Sequence, residues 1–176
     1  MTCRRRSRTT AGRPKHRRAG KPITDDPYQI RPAQAADIPA LVALERIAFS
    51  DPWSSADFAD CRAAGWPILV AATGPDLVGY IVGRALLDEA EILNLGVAEP
   101  VRRRGIAREL VRALLAEFSE RGVRTVFLEV RESNHPARRL YDSFGFREVG
   151  RRSRYYQKPV EDAVVLRVEM VQVAYL

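Results

Sequence analysis

EILNLGVA (91–98) leads into VRRRGIAREL (101–110), and this junction gathers the groups best suited to holding an anion. Gly96 interrupts a strand-like run, where a glycine costs stability and marks a bulge or a close backbone approach. Gly105 and Ala107 keep the first turn of the following helix thin. A phosphate can then reach the unpaired N–H groups and the positive dipole end of a helix N-terminus. Arg103, Arg104 and Arg108 add cationic donors. The same stretch also reads as a solvated basic helix start beside a packing glycine. FLEVRESN (127–134) places Glu129 between Leu128 and Val130, on the face of Phe127 and Arg131. A buried carboxyl there has a raised pKa useful to a general base, whereas a solvated one pairs with Arg131 as an ordinary surface residue. Tyr141 lies on the apolar stripe of Ala137, Leu140 and Phe144. It is either a catalytic phenol or a core tyrosine with a wet hydroxyl.

Other chemistries fail on inventory. His16 and His135 are the only histidines, so no Cys/His cluster builds a zinc site. A Ser-His-Asp triad lacks a G-x-S-x-G elbow. There is no G-x-x-x-x-G-K-[ST] for nucleoside triphosphates and no G-x-G-x-x-G for dinucleotides.

The elements that position these residues follow from patterning. Tyr28 to Arg31 is a short strand. Asp37 caps a helix with Pro39 in its first turn and Ile38, Leu41, Leu44/Glu45 and Ala48 at helical spacing. Asp51-Pro-Trp-Ser54 breaks that helix, and Ser54-x-x-Asp57 starts another that runs to Gly65. Ile68–Thr73 and Leu77–Leu87 make a hairpin around Gly74-Pro-Asp76. After the strand at 91–98, Ile106, Leu110, Leu114 and Phe118 recur every four residues up to Gly122. A strand at Thr125–Arg131, a helix from Asn134 to Gly145, and strands near Phe146–Gln157 and Val164–Val173 complete the order β-α-α-β-β-β-α-β-α-β-β. The central strand–helix–strand unit implies a parallel pair within a mixed sheet, an α/β (α+β) fold.

The chain has 176 residues, 46% apolar and 29% charged, which suits one globular domain over 27–176. No apolar run approaches the roughly 20 residues of a membrane helix, so no membrane partner is expected. Cys3 and Cys61 form no disulfide framework, which suits a reducing cytoplasm. The net charge of +7 is unevenly placed. Residues 1–24 hold nine basic and no acidic residues, leaving 20 basic against 22 acidic residues in the rest. Residues 1–26 therefore read as a disordered basic tail, whether a solvated extension, an upstream start, a weak rRNA or ribosome tether, or a transit peptide. A body at net −2 argues against an RNA-binding domain.

Together these stretches resemble the GNAT acetyltransferase superfamily and, within it, the RimI group of ribosomal-protein N-terminal alanine acetyltransferases. The superfamily pattern [Q/R]-x-x-G-x-[G/A] reads Arg102-Arg-Arg-Gly105-Ile-Ala107 here. The resemblance extends over DPWS (51–54), DEAEILNLGV (88–97), RRGIAR (103–108), RGVRTVFLEVRESN (121–134), LYDSFGF (140–146), RRSRYY (151–156) and EDAVVL (161–166), covering residues 28 to 170. It departs at HPARRL (135–140), where the group more often has small apolar residues.

The resemblance implies a GNAT fold and acetyl-CoA as cosubstrate, without a metal. It implies that the backbone of Leu95, Gly96 and Val97 holds the acetyl-pantetheine arm. Residues Arg103, Arg104, Gly105, Ile106, Ala107 and Arg108 cradle the pyrophosphate, and Asn134 contacts the cosubstrate near its thioester. Glu129 matches the general base and Tyr141 the general acid, while Trp53 and Tyr156 border the peptide cleft. The implied acceptor is the N-terminal amine of a protein, in particular a ribosomal protein beginning with alanine. A lysine or small-amine acceptor on the same fold is the nearest alternative. A ribosome- or RNA-associated binding module acting through the tail is the alternative of another class.

Overall fold

The computed structural model describes residues 28–170, so the basic segment 1–26 and the expected strand residues 171–173 lie outside the described residues. β1 (Gln29–Pro32) passes through a 3-10 turn (Ala35–Asp37) into α1 (Ile38–Ala48). The sequence makes Asp37 the cap of α1. In the structure its carboxylate instead closes the preceding turn, accepting from the Gln34 N–H at 2.7 Å and from Arg31 at 2.7 and 3.0 Å. α2 (Ser55–Ala63) begins with the expected reciprocal cap. Ser54 Oγ accepts from the Asp57 N–H at 3.3 Å, and the Asp57 carboxylate accepts from the Ser54 N–H at 2.6 Å.

β2 (Ile68–Thr73), β3 (Asp76–Leu86) and β4 (Glu89–Val97) follow as a meander. Then come α3 (Ile106–Glu120), β5 (Thr125–Arg131), α4 (His135–Asp142), β6 (Arg147–Gln157) and β7 (Val160–Glu169). The seven strands form one mixed sheet in the order β1-β2-β3-β4-β5-β7-β6. Every neighbouring pair is antiparallel except β4–β5, the central crossover read from the sequence. Two strands start two or more residues earlier than patterning suggested. β4 begins at Glu89, because Leu87 (φ 57) and Asp88 form a tight turn. β7 begins at Val160, because the polar pair Glu161 and Asp162 belongs to the strand.

Helices cover both faces of the sheet. α3 lays Ile106, Leu110, Leu114 and Phe118 on one face with Leu69, Ala71, Ile81, Val126 and Leu128. α1 and α2 lay Leu41, Leu44, Phe58 and Cys61 on the other with Ile68, Val70, Tyr80 and Val82. β2 therefore buries both faces, which explains its unbroken apolar run. Gly83 lets α3 approach, since a Cβ there would lie 2.5 Å from the Phe118 ring.

Two irregularities open the centre of the sheet. Val82 pairs with Asn94 but Gly83 with Ile92, so Leu93 is an extra residue in β4. Such a bulge bends its strand and increases twist. The parallel ladder between β4 and β5 covers Glu89–Ile92 against Thr125–Leu128. β4 continues to Val97 and β5 to Arg131 without further pairing to each other among the described residues. The two strands part immediately after the bulge.

Candidate active site

At the parting of β4 and β5, the chain stands in sheet geometry with one edge unmatched. Leu95, Gly96 and Val97 lie along that edge, paired with β3 on one side and with no β5 partner on the other. Gly96 has a second reason to be glycine: a Cβ there would meet the Tyr80 ring at 2.5 Å. Tyr80 is fully buried beneath it, and among the described residues its hydroxyl is the buried side-chain polar atom without a hydrogen-bond partner.

The loop from Val97 to α3 is shaped by two left-handed residues, Arg103 (φ 66) and Gly105 (φ 86). Consecutive N–H groups in such turns converge into an anion-binding concavity, here at the N-terminus of a 15-residue helix. Glycine accommodates a left-handed φ without a Cβ penalty, and a Cβ at 105 would meet no protein atom within 4 Å. The space over Gly105 is thus open, as a phosphate seat requires. Arg102 holds the loop, its Nε donating to the Val97 carbonyl at 3.1 Å. Arg103, Arg104 and Arg108 are exposed, and Arg108 stacks over Phe144 at 5.5 Å. The Ile106 side chain is buried in the α3 core, so only its backbone is available to a ligand. Ala107 is half-buried at the first turn. Asn134 caps α4, its side-chain oxygen accepting from the Ala137 N–H at 3.2 Å.

Glu129 is the first β5 residue beyond the β4 ladder, so it stands where the strands part. Its carboxylate is 18% exposed and pairs with Arg152 Nε of β6 at 3.0 Å. The sequence offered Arg131 as the partner of a surface Glu129; that pairing is corrected here. Arg131 turns instead to the β6–β7 turn, donating to the Lys158 and Pro159 carbonyls at 3.0 and 3.2 Å and to Glu161 at 3.1 Å. Its guanidinium also lies 4.1 Å from the centroid of the Tyr156 ring.

Tyr141 is buried on α4 against Phe146, at 5.5 Å between ring centroids. Burial pushes its phenol well above the ordinary tyrosine range, and nearby Tyr156 adds to that. The phenol therefore keeps its proton. Tyr156 is half-buried between Tyr141 and Glu129 in electrostatic terms. Burial, then Tyr155, push it up to about 12; Arg131 opposes, while Glu129 and Glu161 add further. Tyr156 is thus linked electrostatically to both Tyr141 and Glu129.

Trp53 is half-buried. It packs on Phe58 with centroids 5.5 Å apart, in the loop between α1 and α2. That loop touches the β6–β7 turn: Lys158 Nζ pairs with Asp51 at 3.0 Å, and Ser50 Oγ donates to the Lys158 carbonyl. The segments bearing Trp53 and Tyr156 therefore meet.

Sequence reasoning missed Glu45 on α1. Its carboxylate is fully buried and accepts from the Trp53 N–H at 2.7 Å and from Asn94 Nδ2 at 2.9 Å. Burial pushes it up, the two donors pull it back, and Asp57 adds a smaller upward push. The available signal was its place on the apolar stripe of α1 beside Leu44.

A model of the acetyltransferase (GNAT) family matches residues 38–146, more than half of the chain. The chain belongs to the GNAT acetyltransferase family. Among GNAT relatives, it is 39% identical over 149 residues to the N-alpha-acetyltransferase RimI of Mycobacterium tuberculosis, covering 81% of this chain and 92% of that protein. It is 34% identical over 133 residues to the [ribosomal protein bS18]-alanine N-acetyltransferase of Haemophilus ducreyi, covering 74% and 92%. The crystal structure of the ribosomal-protein-S18-alanine N-acetyltransferase from Escherichia coli superposes with a TM-score of 0.76 at 31% identity, over 85% of this chain and 99% of that one. The parted β4–β5 pair and the loop before α3 thus belong to a GNAT acetyltransferase. Among the described residues, no group of three His, Cys, Asp or Glu side chains is arranged for a metal ion, and no helix is long and apolar enough to cross a membrane.

Proposed function

We propose that this enzyme transfers the acetyl group of acetyl-CoA to the α-amine of a ribosomal protein that begins with alanine. The relatives from Haemophilus ducreyi and Escherichia coli, named for that acceptor and alike over most of both chains, support the choice. The observation that supports the mechanism is Glu129 at the parting of β4 and β5, with Tyr156 within electrostatic reach of it and of Tyr141.

The main-chain edge at 95–97 and the open loop over Gly105 fit the arm and pyrophosphate of acetyl-CoA. Leu95, Gly96 and Val97 would align the arm, and the loop from Arg103 to Arg108 would hold the phosphates, with Asn134 near the thioester end. Bound there, acetyl-CoA supplies an activated acyl carbon. Glu129, directly or through a water, accepts the proton that the attacking amine loses as the N–C bond forms. A backbone N–H near Val97 polarises the thioester carbonyl. Tyr141 donates to the sulfur as the C–S bond breaks. A phenol held so firmly protonated is first a hydrogen-bond donor, and gives up its proton only as charge builds on sulfur.

An α-amine suits this apparatus. Its reference pKa of about 7.7–8.0 leaves a fair fraction neutral near pH 7.5, whereas lysine at about 10.4 needs about 2.5 units more help, or about 3.4 kcal/mol. A peptide panel tests the choice. Acetylation of the α-amine of an alanine-starting ribosomal-protein peptide should exceed that of an internal lysine by more than tenfold. Faster lysine acetylation would transfer the enzyme to the lysine class.

A further inference from the structure

Glu45 is, among the described residues, the one charged side chain shut off from solvent. Shutting in a carboxylate is costly unless it is fully paired, and an apolar residue of similar volume often serves stability as well or better. The residue is thus poorly explained as a contribution to the core. Its partners suggest another role. One oxygen holds the main chain at Trp53, in the loop between α1 and α2 that meets the β6–β7 turn. The other holds Asn94, the residue directly after the extra residue of β4 and directly before the edge at 95–97.

We propose that Glu45 is a positioning residue for the acceptor, fixing the Trp53 wall of the cleft at a set distance from the β4 edge that presents the acetyl donor. The proposal rests on the acetyltransferase reading for what the two walls hold. Two acceptor oxygens on one rigid side chain, each engaged by a donor from a different element, define that spacing better than apolar contact. A methylene surface slides; a matched pair of hydrogen bonds does not. Trp53 packs on Phe58, so fixing its backbone also fixes the direction in which its ring is offered.

The hydrogen-bond polarity allows a discriminating test. In Glu45→Gln one of the two donors loses its acceptor, because the amide carries a donor of its own. Asn94→Asp sets two carboxylates face to face. Combining both substitutions restores a match at each contact: the amide oxygen accepts from Trp53, and the amide nitrogen donates to the new carboxylate. The experiment measures acceptor KM, acetyl-CoA affinity by calorimetry, and hydrogen–deuterium exchange over residues 49–54 in wild type, both single variants and the double variant.

The expected result for Glu45→Gln is an acceptor KM raised at least tenfold and exchange at 49–54 quickened at least tenfold. Acetyl-CoA affinity should stay within twofold, and the double variant should recover most of both losses. Unchanged exchange in Glu45→Gln overturns the proposal, as does an equal loss of donor and acceptor binding, or a double variant no better than the singles. Should the wild type acetylate no alanine-starting peptide, the acceptor assignment falls, and the exchange measurement still decides whether Glu45 fixes this wall.

Discussion

Gly105 and Tyr141 show how differently single residues carry this site. Gly105 matters for what it lacks: its φ of 86° excludes side chains that resist the left-handed region, and nothing of the protein fills the space above it. Gly105→Ala should strain the loop by about 1–2 kcal/mol, and Gly105→Glu should abolish acetyl-CoA binding by placing a carboxylate where the phosphates sit. Retained acetyl-CoA affinity in the glutamate variant, read by calorimetry, would return the loop to an ordinary solvated helix start. Tyr141 matters for what it keeps, a proton held by burial. Tyr141→Phe preserves the ring packing on Phe146, so stability should hold while kcat falls by about 10²-fold, in the range of acid–base catalysis. Near-normal turnover at saturating acetyl-CoA would end its role as the acid. Glu129→Gln should alter the pH–rate profile as well as lowering kcat, and an unchanged profile would remove Glu129 as the base.

At the scale of elements, much was legible because local rules agree. The four-residue recurrence from Ile106 to Phe118 reports α3, and Ser54 with Asp57 reports the start of α2. Ser54→Ala should therefore cost about 1 kcal/mol in chemical denaturation. Asp57, held below the ordinary carboxylate range by its hydrogen bonds to Ser54, links that cap to pH. Its folded-state pKa lies below the unfolded one, so its contribution is full above about pH 4 and lost as pH falls through the lowered value. Acid titration of Ser54→Ala against wild type should show the difference shrinking below pH 4. A difference that stays constant to the lowest pH at which the protein folds would contradict this linkage. The β4–β5 parting was less legible. Its causes are an extra residue at Leu93 and the loss of a parallel partner after Ile92, and neither leaves a periodic mark in the sequence. The Arg152–Glu129 and Arg131–Tyr156 contacts were hidden for a similar reason, since each joins strands more than twenty residues apart in the chain. Glu45 did leave a mark, a charge on an apolar stripe, whose meaning depended on finding Trp53 and Asn94 above it.

Across the whole molecule, the uneven charge had already separated two kinds of protein. With nine basic residues confined to 1–24, the remainder is slightly acidic, and the anion seat proposed before α3 would be a local device rather than part of a basic face. The sheet holds its proposed donor edge and its proposed base on neighbouring strands, while the loop between α1 and α2 meets the β6–β7 turn from a distant part of the chain. That arrangement explains why family resemblance could be carried by scattered short motifs. Several of the motifs fall on strands of the one sheet, and the spacing between them is set by the strands. The proposed acceptor defines this enzyme as much as its fold does. Its most direct test is mass spectrometry of protein N-terminal peptides from cells with and without this enzyme. An alanine-starting ribosomal protein should carry an acetyl group on its α-amine only when the enzyme is present. An unchanged set of acetylated N-termini, or changes confined to lysine side chains, would contradict it.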